Sequence, residues 1–215
     1  AHMFVMMNAA RLQVGVQGVA IAERAFQQAL HFSQERKQGR PAFDDAQGMI
    51  YGHPDVRRTL MLMKAKIEAA RGICLTTGVL EDLARRAESE DERAAAKARQ
   101  ELLTPIAWST DVGVEVASLG VQVHGGMGFI EETGAAQHYR DARIAPIYEG
   151  TNGIQAMDLI GRKLRANGGE TLRGLCGEMA LTAEVLTETA ELAPVGRRLA
   201  AGIAALERAA DGVLA

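Results

Sequence analysis

Apolar positions repeat with a helical period along nearly the whole chain. In the first segment Leu12, Val16, Val19, Phe26 and Leu30 recur at steps of three, four and seven, while Arg11, Glu23, Arg24, Gln27, Gln28 and Gln34 take the opposite face. The pattern predicts one long helix over about 8–38. Gly39-Arg40-Pro41 ends it, because Pro41 restricts Arg40 and has no amide hydrogen to give. A loop rich in Gly, Pro and Asp follows over 39–54. Pro54 then stands where a first helical turn begins, and Asp55 suits the positive end of a helix. The second helix carries Val56, Leu60, Met63, Ile67, Ala70, Cys74 and Thr77 on one stripe, close to a ~3.5-residue repeat, which predicts extended helix-on-helix packing. Cys74 lies on that stripe and is a small core residue by this pattern; Met49, Met61 and Met63 are packing residues by the same reasoning.

Residues 88–93 form a charged break, expected to be a solvated turn. A third helix is expected over about 94–123 with the stripe Leu102, Ile106, Ser109, Gly113, Val116, Gly120 and Val123, kinked at Pro105 unless that residue lies near a helix start. Its small residues predict close approach of a neighbouring backbone, and Trp108 is expected in the core or at a dimer interface. His124 to Phe129 is a loop by composition. A short helix follows over about 133–143, then Pro146, then a helix capped by Thr151 or Asn152 and running to about Arg165. Asn167-Gly168-Gly169 is the clearest linker, and two Ala-rich helices, about 170–190 and 194–214, close the chain. No strand pattern is convincing. The expected fold is all-α: an antiparallel four-helix bundle of long helices with a small C-terminal helical appendage. The expected divisions are 1–3 (Ala1-His2-Met3, a cloning scar), 4–166 (the bundle) and 167–215 (the appendage). A chain that enters a helix pattern so soon after Phe4 suggests a fragment.

Composition narrows the function classes. Of 215 residues, 47% are hydrophobic and 24% charged, enough apolar side chain for an ordinary core. The net charge of -3 leaves no basic footprint for nucleic acid. No apolar run approaches the ~20 residues of a membrane span, and no charged n-region with an apolar h-region marks a signal peptide. Two cysteines make no disulfide framework and no zinc ligand set, so a reducing, cytoplasmic setting is the default. Chemistry concentrates between Val121 and Leu164. There Ile147-Tyr148-Glu149-Gly150-Thr151 puts a carboxylate just before a helix start. The helix dipole favours its anion, whereas desolvation by an apolar ligand favours the acid. A general base working near neutral pH needs the second effect to win.

Tyr139-Arg140-Asp141-Ala142-Arg143-Ile144, followed by Ile147-Tyr148-Glu149-Gly150-Thr151-Asn152-Gly153-Ile154-Gln155, resembles the signature of the acyl-CoA dehydrogenase family. Gln122-Val123-His124-Gly125-Gly126-Met127-Gly128-Phe129 is similar to that family's Gly-rich turn, and Glu35-Arg36-Lys37 to a third element in the right order. The likeness covers roughly 8–165. It is nearest to the long branch with a C-terminal extension, which includes methylthiopropionyl-CoA dehydrogenase-like enzymes. The family has an N-terminal helical domain, a middle β-barrel and a C-terminal bundle; the chain resembles the third and the start of the extension.

The resemblance implies an FAD enzyme that desaturates an acyl-CoA thioester. Glu149 matches the base that takes the α-proton, the β-hydrogen leaves as hydride to the flavin, and electrons pass to an electron-transfer flavoprotein. The thioester oxygen would be polarised by the Glu149 amide and a flavin hydroxyl. Arg36 matches a position that reaches the FAD pyrophosphate of a neighbouring subunit. Gln122, Gly125 and Gly126 match positions at its ADP half, and Thr151 one beside the base. Together these imply a homodimer or tetramer. Arg11 is the counterpart of an Arg that helps hold CoA, and Gly150 falls in the substrate segment. Lys37-Gln38-Gly39-Arg40 departs from the family's hydroxyl-Phe-Gly run, and Gly153 stands where relatives often carry a polar side chain. The isolated piece is expected to be inactive. Two other readings stand beside the dehydrogenase: an acyl-CoA oxidase, and a non-catalytic oligomerisation or interaction module. Blander readings attach to single residues: His124 as a structural helix-end residue, and His138 and Arg140-Asp141 as surface or interface ion pairs.

Overall fold

The structure, a computed structural model, describes residues 2–43, 46–103, 105–148 and 150–215, with the backbone alone for 2–9 and Pro105. Glu149 therefore lies outside the described residues. The described residues are helical, with no strand among them beyond an isolated bridge between Lys37 and Met49. They form two compact units: 1–79 with 104–153, and 80–103 with 154–215.

In the first unit, α1 (His2–Glu35) and α2 (Pro54–Arg86) are the two long helices the periodicity predicted. They run antiparallel: Arg71 pairs with Glu23 at 2.6 Å and Lys64 lies over the Phe26 ring. Helix α4 (Pro105–His124) is antiparallel to α2, with Lys66 on Glu115 at 2.8 Å and the Cys74 Sγ 3.5 Å from Ser109 Oγ. It is parallel to α1, and the two meet at Gly18. A Cβ on Gly18 would sit 2.5 Å from the Ser109 carbonyl oxygen, and one on Gly113 would sit 3.0 Å from the Gly18 oxygen. That is the close approach the small residues foretold. The fourth leg is the short α6 (Ala135–Ala142) and the turn after it, running back along α1. The core between these helices is Val19, Phe26, Ala29, Met63, Ile67, Ala70, Cys74, Val112 and Val116. Cys74 is buried on the expected stripe, and burial pushes its thiol up. Because α1 packs against three helices, its buried face turns away from Val16, which is half exposed; Val14 and Ala22 are buried instead.

The second unit packs α3 (Glu90–Leu103), α8 (Glu170–Glu188) and α9 (Ala193–Leu214) around Leu164, Leu172, Cys176, Ala183, Ile203 and Ala210. Arg99 grips Glu178 with two bonds, at 2.9 and 2.6 Å. Helix α7 (Asn152–Asp158) loosens at Leu159–Lys163 into a π-helical turn rather than continuing as α-helix to Arg165.

Several expectations are corrected. The single helix over 94–123 is two helices, and of the two roles open to Pro105 it takes the helix start, opening α4, since proline fits a first turn. The charged segment 88–93 is not a turn throughout: Ser89 and Glu92 form a capping box. The Ser89 hydroxyl accepts the Glu92 amide at 3.2 Å, and the Glu92 carboxylate accepts the Ser89 amide at 3.3 Å. The first helix stops at Glu35, where the chain turns into a short bridge with residues 48–50. The Gly-rich run is a turn plus the four-residue helix α5 (Gly126–Phe129). Met61 is 73% exposed and Trp108 42% exposed, so neither belongs to the core, whereas Met63 is fully buried.

Candidate functional site

The expected site residues fall at two levels of the first unit. Arg36 follows the last turn of α1, and Gln122, Gly125 and Gly126 lie at the end of α4; all four are exposed. Phe32, one turn before Arg36, stacks on His124 with ring centroids 4.5 Å apart, which brings these two ends together. The buried His124 ring also bonds the Gly120 carbonyl through Nδ1 at 2.7 Å, as a structural helix-end residue would. Gly125 adopts φ 59 and ψ -137, a conformation that favours glycine. Gly126 differs: its φ is ordinary and a Cβ there would meet nothing within 4 Å, so the fold of this chain does not require its bareness.

A chain of hydrogen bonds fixes this end. The Thr133 hydroxyl donates to the Met127 carbonyl at 2.6 Å, Gln28 donates to the Thr133 carbonyl, and His138 donates from Nε2 to Gln28 Oε1 at 2.9 Å. His138 is thus no surface ion-pair residue. Burial, and then the Arg24 charge, hold its pKa below the usual histidine value, against a weaker upward pull from Asp141. Arg140 pairs not with Asp141 but with Glu131, through two bonds at 2.9 and 2.6 Å.

The second level lies where residues 14–18 of α1 face residues 106–111 of α4. Val14, Ile106 and Ala145 form a small buried cluster with Tyr148 packed on it. Tyr148 donates its phenol to Gln17 Oε1 at 3.0 Å. Arg11 is partly buried three residues before Val14, on the same side of α1. After residue 149 comes Gly150, at φ 90, then the exposed Thr151. Of Thr151 and Asn152, the two residues expected at the start of α7, Asn152 is the first residue of the helix and its side-chain amide is not spent on it. The amide reaches α4 instead: the Ala107 carbonyl at 2.9 Å, Thr110 Oγ1 at 3.1 Å and Asp111 Oδ1 at 2.8 Å. The base assigned to Glu149 is outside the described residues, but its neighbours at 148 and 152 are each tied to a long helix.

Sequence reasoning missed Gln17, Thr110 and Asp111. Their signal is tertiary, since none belongs to a motif and their partners lie 41 to 131 residues away. The two levels are separated along α1 by the stretch from Gln17 to Arg36, about 28 Å at ~1.5 Å per residue.

A helical unit with a Gly-rich turn at one end and a doubly tied turn at the other is the C-terminal domain of an acyl-CoA dehydrogenase. The model of that domain matches residues 3–164, and the chain belongs to the acyl-CoA dehydrogenase family. Over its full length it is 50% identical to 3-methylmercaptopropionyl-CoA dehydrogenase of Ruegeria pomeroyi, covering 37% of that enzyme. Butyryl-CoA dehydrogenase of Megasphaera elsdenii superposes with a TM-score of 0.58 at 30% identity, over 75% of this chain and 37% of that one. An acyl-CoA dehydrogenase of Bacillus anthracis, solved with FAD, does so with a TM-score of 0.60 at 27% identity, over 86% and 31%. The chain thus spans about a third of the length of the relatives it matches. No helix among the described residues is long and apolar enough to cross a membrane.

Proposed function

We propose that this chain is the base-bearing part of an FAD-dependent acyl-CoA dehydrogenase. The observation that carries the proposal is the anchoring of residues 148 and 152, on either side of Glu149, to α1 and α4 inside a domain of this family. Residues 4–166 are the family bundle and 167–215 the start of a C-terminal extension. The Glu149 carboxylate takes the α-proton of the thioester, and the electron pair of that C–H bond forms the Cα=Cβ bond as the β-hydrogen departs with its own pair. FAD, when bound, accepts that hydride. Arg11 and Gly150 would hold the CoA thioester in place, and Thr151 would help hold the flavin. The likeness to 3-methylmercaptopropionyl-CoA dehydrogenase supports a thioester of that class as substrate.

The residues present suit the cofactor. Arg36 is an exposed cation just past the end of α1, which the Phe32–His124 stack holds against the end of α4, and such charge is what a pyrophosphate needs. Gly126 leaves room that its own chain does not fill, as close approach of an ADP group requires. Arg36 lies about 28 Å along α1 from Gln17, and Gln122 about 17 Å along α4 from Asp111, so the Gly-rich end is well separated from the residues that tie Tyr148 and Asn152. That separation favours two cofactors per unit, one at each level, and hence a homodimer or tetramer in which FAD is shared. An electron-transfer flavoprotein takes the electrons onward. The setting is cytoplasmic, in keeping with the free, buried Cys74 and Cys176.

The test is Glu149→Gln in the full-length enzyme. Turnover of acyl-CoA should fall by about a thousandfold or more, the scale of losing a general base, while FAD content stays unchanged. Retained turnover removes Glu149 from the reaction and leaves the interaction-module reading. Reoxidation of the reduced enzyme by oxygen as fast as by an electron-transfer flavoprotein identifies an oxidase instead.

A further inference from the structure

We infer that Thr133 and Gln28 are positioning residues for the proposed cofactor site, a brace that holds the Gly125–Gly128 turn in its binding arrangement. The inference rests on the cofactor reading above and deepens it, since neither residue belongs to the three motifs and neither is assigned a contact with FAD.

Main chain seats the turn from one side. Gly128 is buried against the last turn of α4: a Cβ there would run into the Val121 carbonyl oxygen and lie 2.9 Å from the His124 Cβ. The turn also closes on itself. The Gly125 amide donates to the Gln122 carbonyl at 3.0 Å, and the Gly128 amide to the Gly125 carbonyl at 2.9 Å. These bonds are local, and they leave Gly126 and Met127 exposed on the outer side.

Thr133 holds that outer side. It ends the 3-10 turn Glu131–Thr133, and its hydroxyl reaches back to the Met127 carbonyl at 2.6 Å. A hydroxyl on a loop steadies little unless the loop is itself held. Here Gln28 of α1 donates its amide to the Thr133 carbonyl, and His138 of α6 donates to Gln28 Oε1 at 2.9 Å. Arg140, also on α6, grips Glu131 with bonds at 2.9 and 2.6 Å. The Thr133 carbonyl only accepts, so Gln28 presents its nitrogen there and its oxygen to the His138 ring. Gln28 and His138 are half-buried, so water weakens their bond less than the exposed one it supports. The path thus runs from two packed helices, through Thr133, to the residue that follows Gly126.

What the brace changes is the fraction of molecules whose turn is ready. Glycines at 125 and 126 bring backbone freedom that an unbraced turn spends in many arrangements. A ligand that fits one arrangement loses affinity in proportion to the time spent in the others, and one hydrogen bond shifts that fraction by about tenfold.

The experiment titrates FAD into the full-length apoenzyme and follows quenching of flavin fluorescence, with Arg36→Ala run beside it. Thr133→Val should weaken FAD binding by about tenfold, and Thr133→Ser, which keeps the hydroxyl, should stay near wild type. Gln28→Leu should act in the same direction and add little to Thr133→Val, because the two act in series. Amide exchange at residues 126–129 of the apoenzyme should speed up in Thr133→Val and not in Thr133→Ser, with the melting temperature nearly unchanged. Wild-type FAD affinity in Thr133→Val and Gln28→Leu, with Arg36→Ala weakened, overturns the inference alone. So does a loss of affinity that Thr133→Ser fails to restore, or that a matching fall in melting temperature accompanies, the mark of a general structural role. Wild-type affinity in Arg36→Ala as well removes the cofactor from this end of the unit, and the brace with it.

Discussion

At the scale of single residues, His138 shows how packing assigns a protonation state. Gln28 gives its amide protons to the Thr133 carbonyl, so its oxygen faces His138 and the ring must donate from Nε2. The folded state prefers the neutral ring, since burial and Arg24 hold its pKa below 6.5. A folded pKa below the unfolded one means that the stabilisation is fully present above pH 6.5 and is lost as pH falls through the folded value. Urea midpoints measured at about pH 7.5 and about pH 5.5 should therefore drop more in the wild type than in His138→Gln. An equal drop in both removes His138 from the pH dependence. Glu68 is shifted in the same direction by a different cause: hydrogen bonds from Arg71 and Lys64 bring it down to about 2. Cys74 and Met63 were legible as core residues because each sits on a clear helical stripe. Met61 and Trp108 were not, because a hydrophobic side chain does not state which face of its helix another helix covers.

At the scale of elements, the helix pattern fixed which segments are helical more firmly than where they begin. The Ser89-to-Glu92 capping box was present in the sequence as a hydroxyl and a carboxylate at the right spacing, but the surrounding run of charge hid it. Pro105 was legible as either a kink or a helix start, and the structure makes it the first residue of α4. The contact between α1 and α4 gives an internal comparison of two helical glycines. Gly18→Ala drives a Cβ into the Ser109 carbonyl and should destabilise the protein by about 1–3 kcal/mol. Gly72→Ala, in α2, meets nothing within 4 Å and should stabilise by about 0.5–1 kcal/mol through helix propensity. Urea unfolding of the two variants reads both signs. A neutral Gly18→Ala denies that this crossing is as tight as main-chain contact.

At the scale of the whole molecule, the chain spans about a third of its relatives, and its proposed site residues divide between two levels of one helical unit. Each level alone lacks what the reaction needs. The 215-residue chain by itself, mixed with FAD and acyl-CoA, should show no dye-linked turnover and no saturable flavin spectrum. A yellow sample with a saturable spectrum contradicts that. Three motifs could be read in order along the chain, because family signatures are local: Glu35-Arg36-Lys37, the Gly-rich turn and the Tyr-Glu-Gly-Thr run. That the first two meet through the Phe32–His124 stack, while the third lies about 22 Å from it along α1, was not legible, since sequence order carries no distance across a bundle.

The sequence by itself determined the helical class, the core stripe of α2, the demand for close backbone approach along α4 and the family to which the chain belongs. All of these are properties of residue type at fixed local spacing, which the period of the helix turns directly into a face. Only the tertiary structure decided that Gln17 bonds Tyr148 and Asp111 bonds Asn152, that His138 is part-buried against Gln28 and that Trp108 is exposed. Those outcomes depend on which helix faces meet, and that choice is made by the summed packing of elements far apart in the chain.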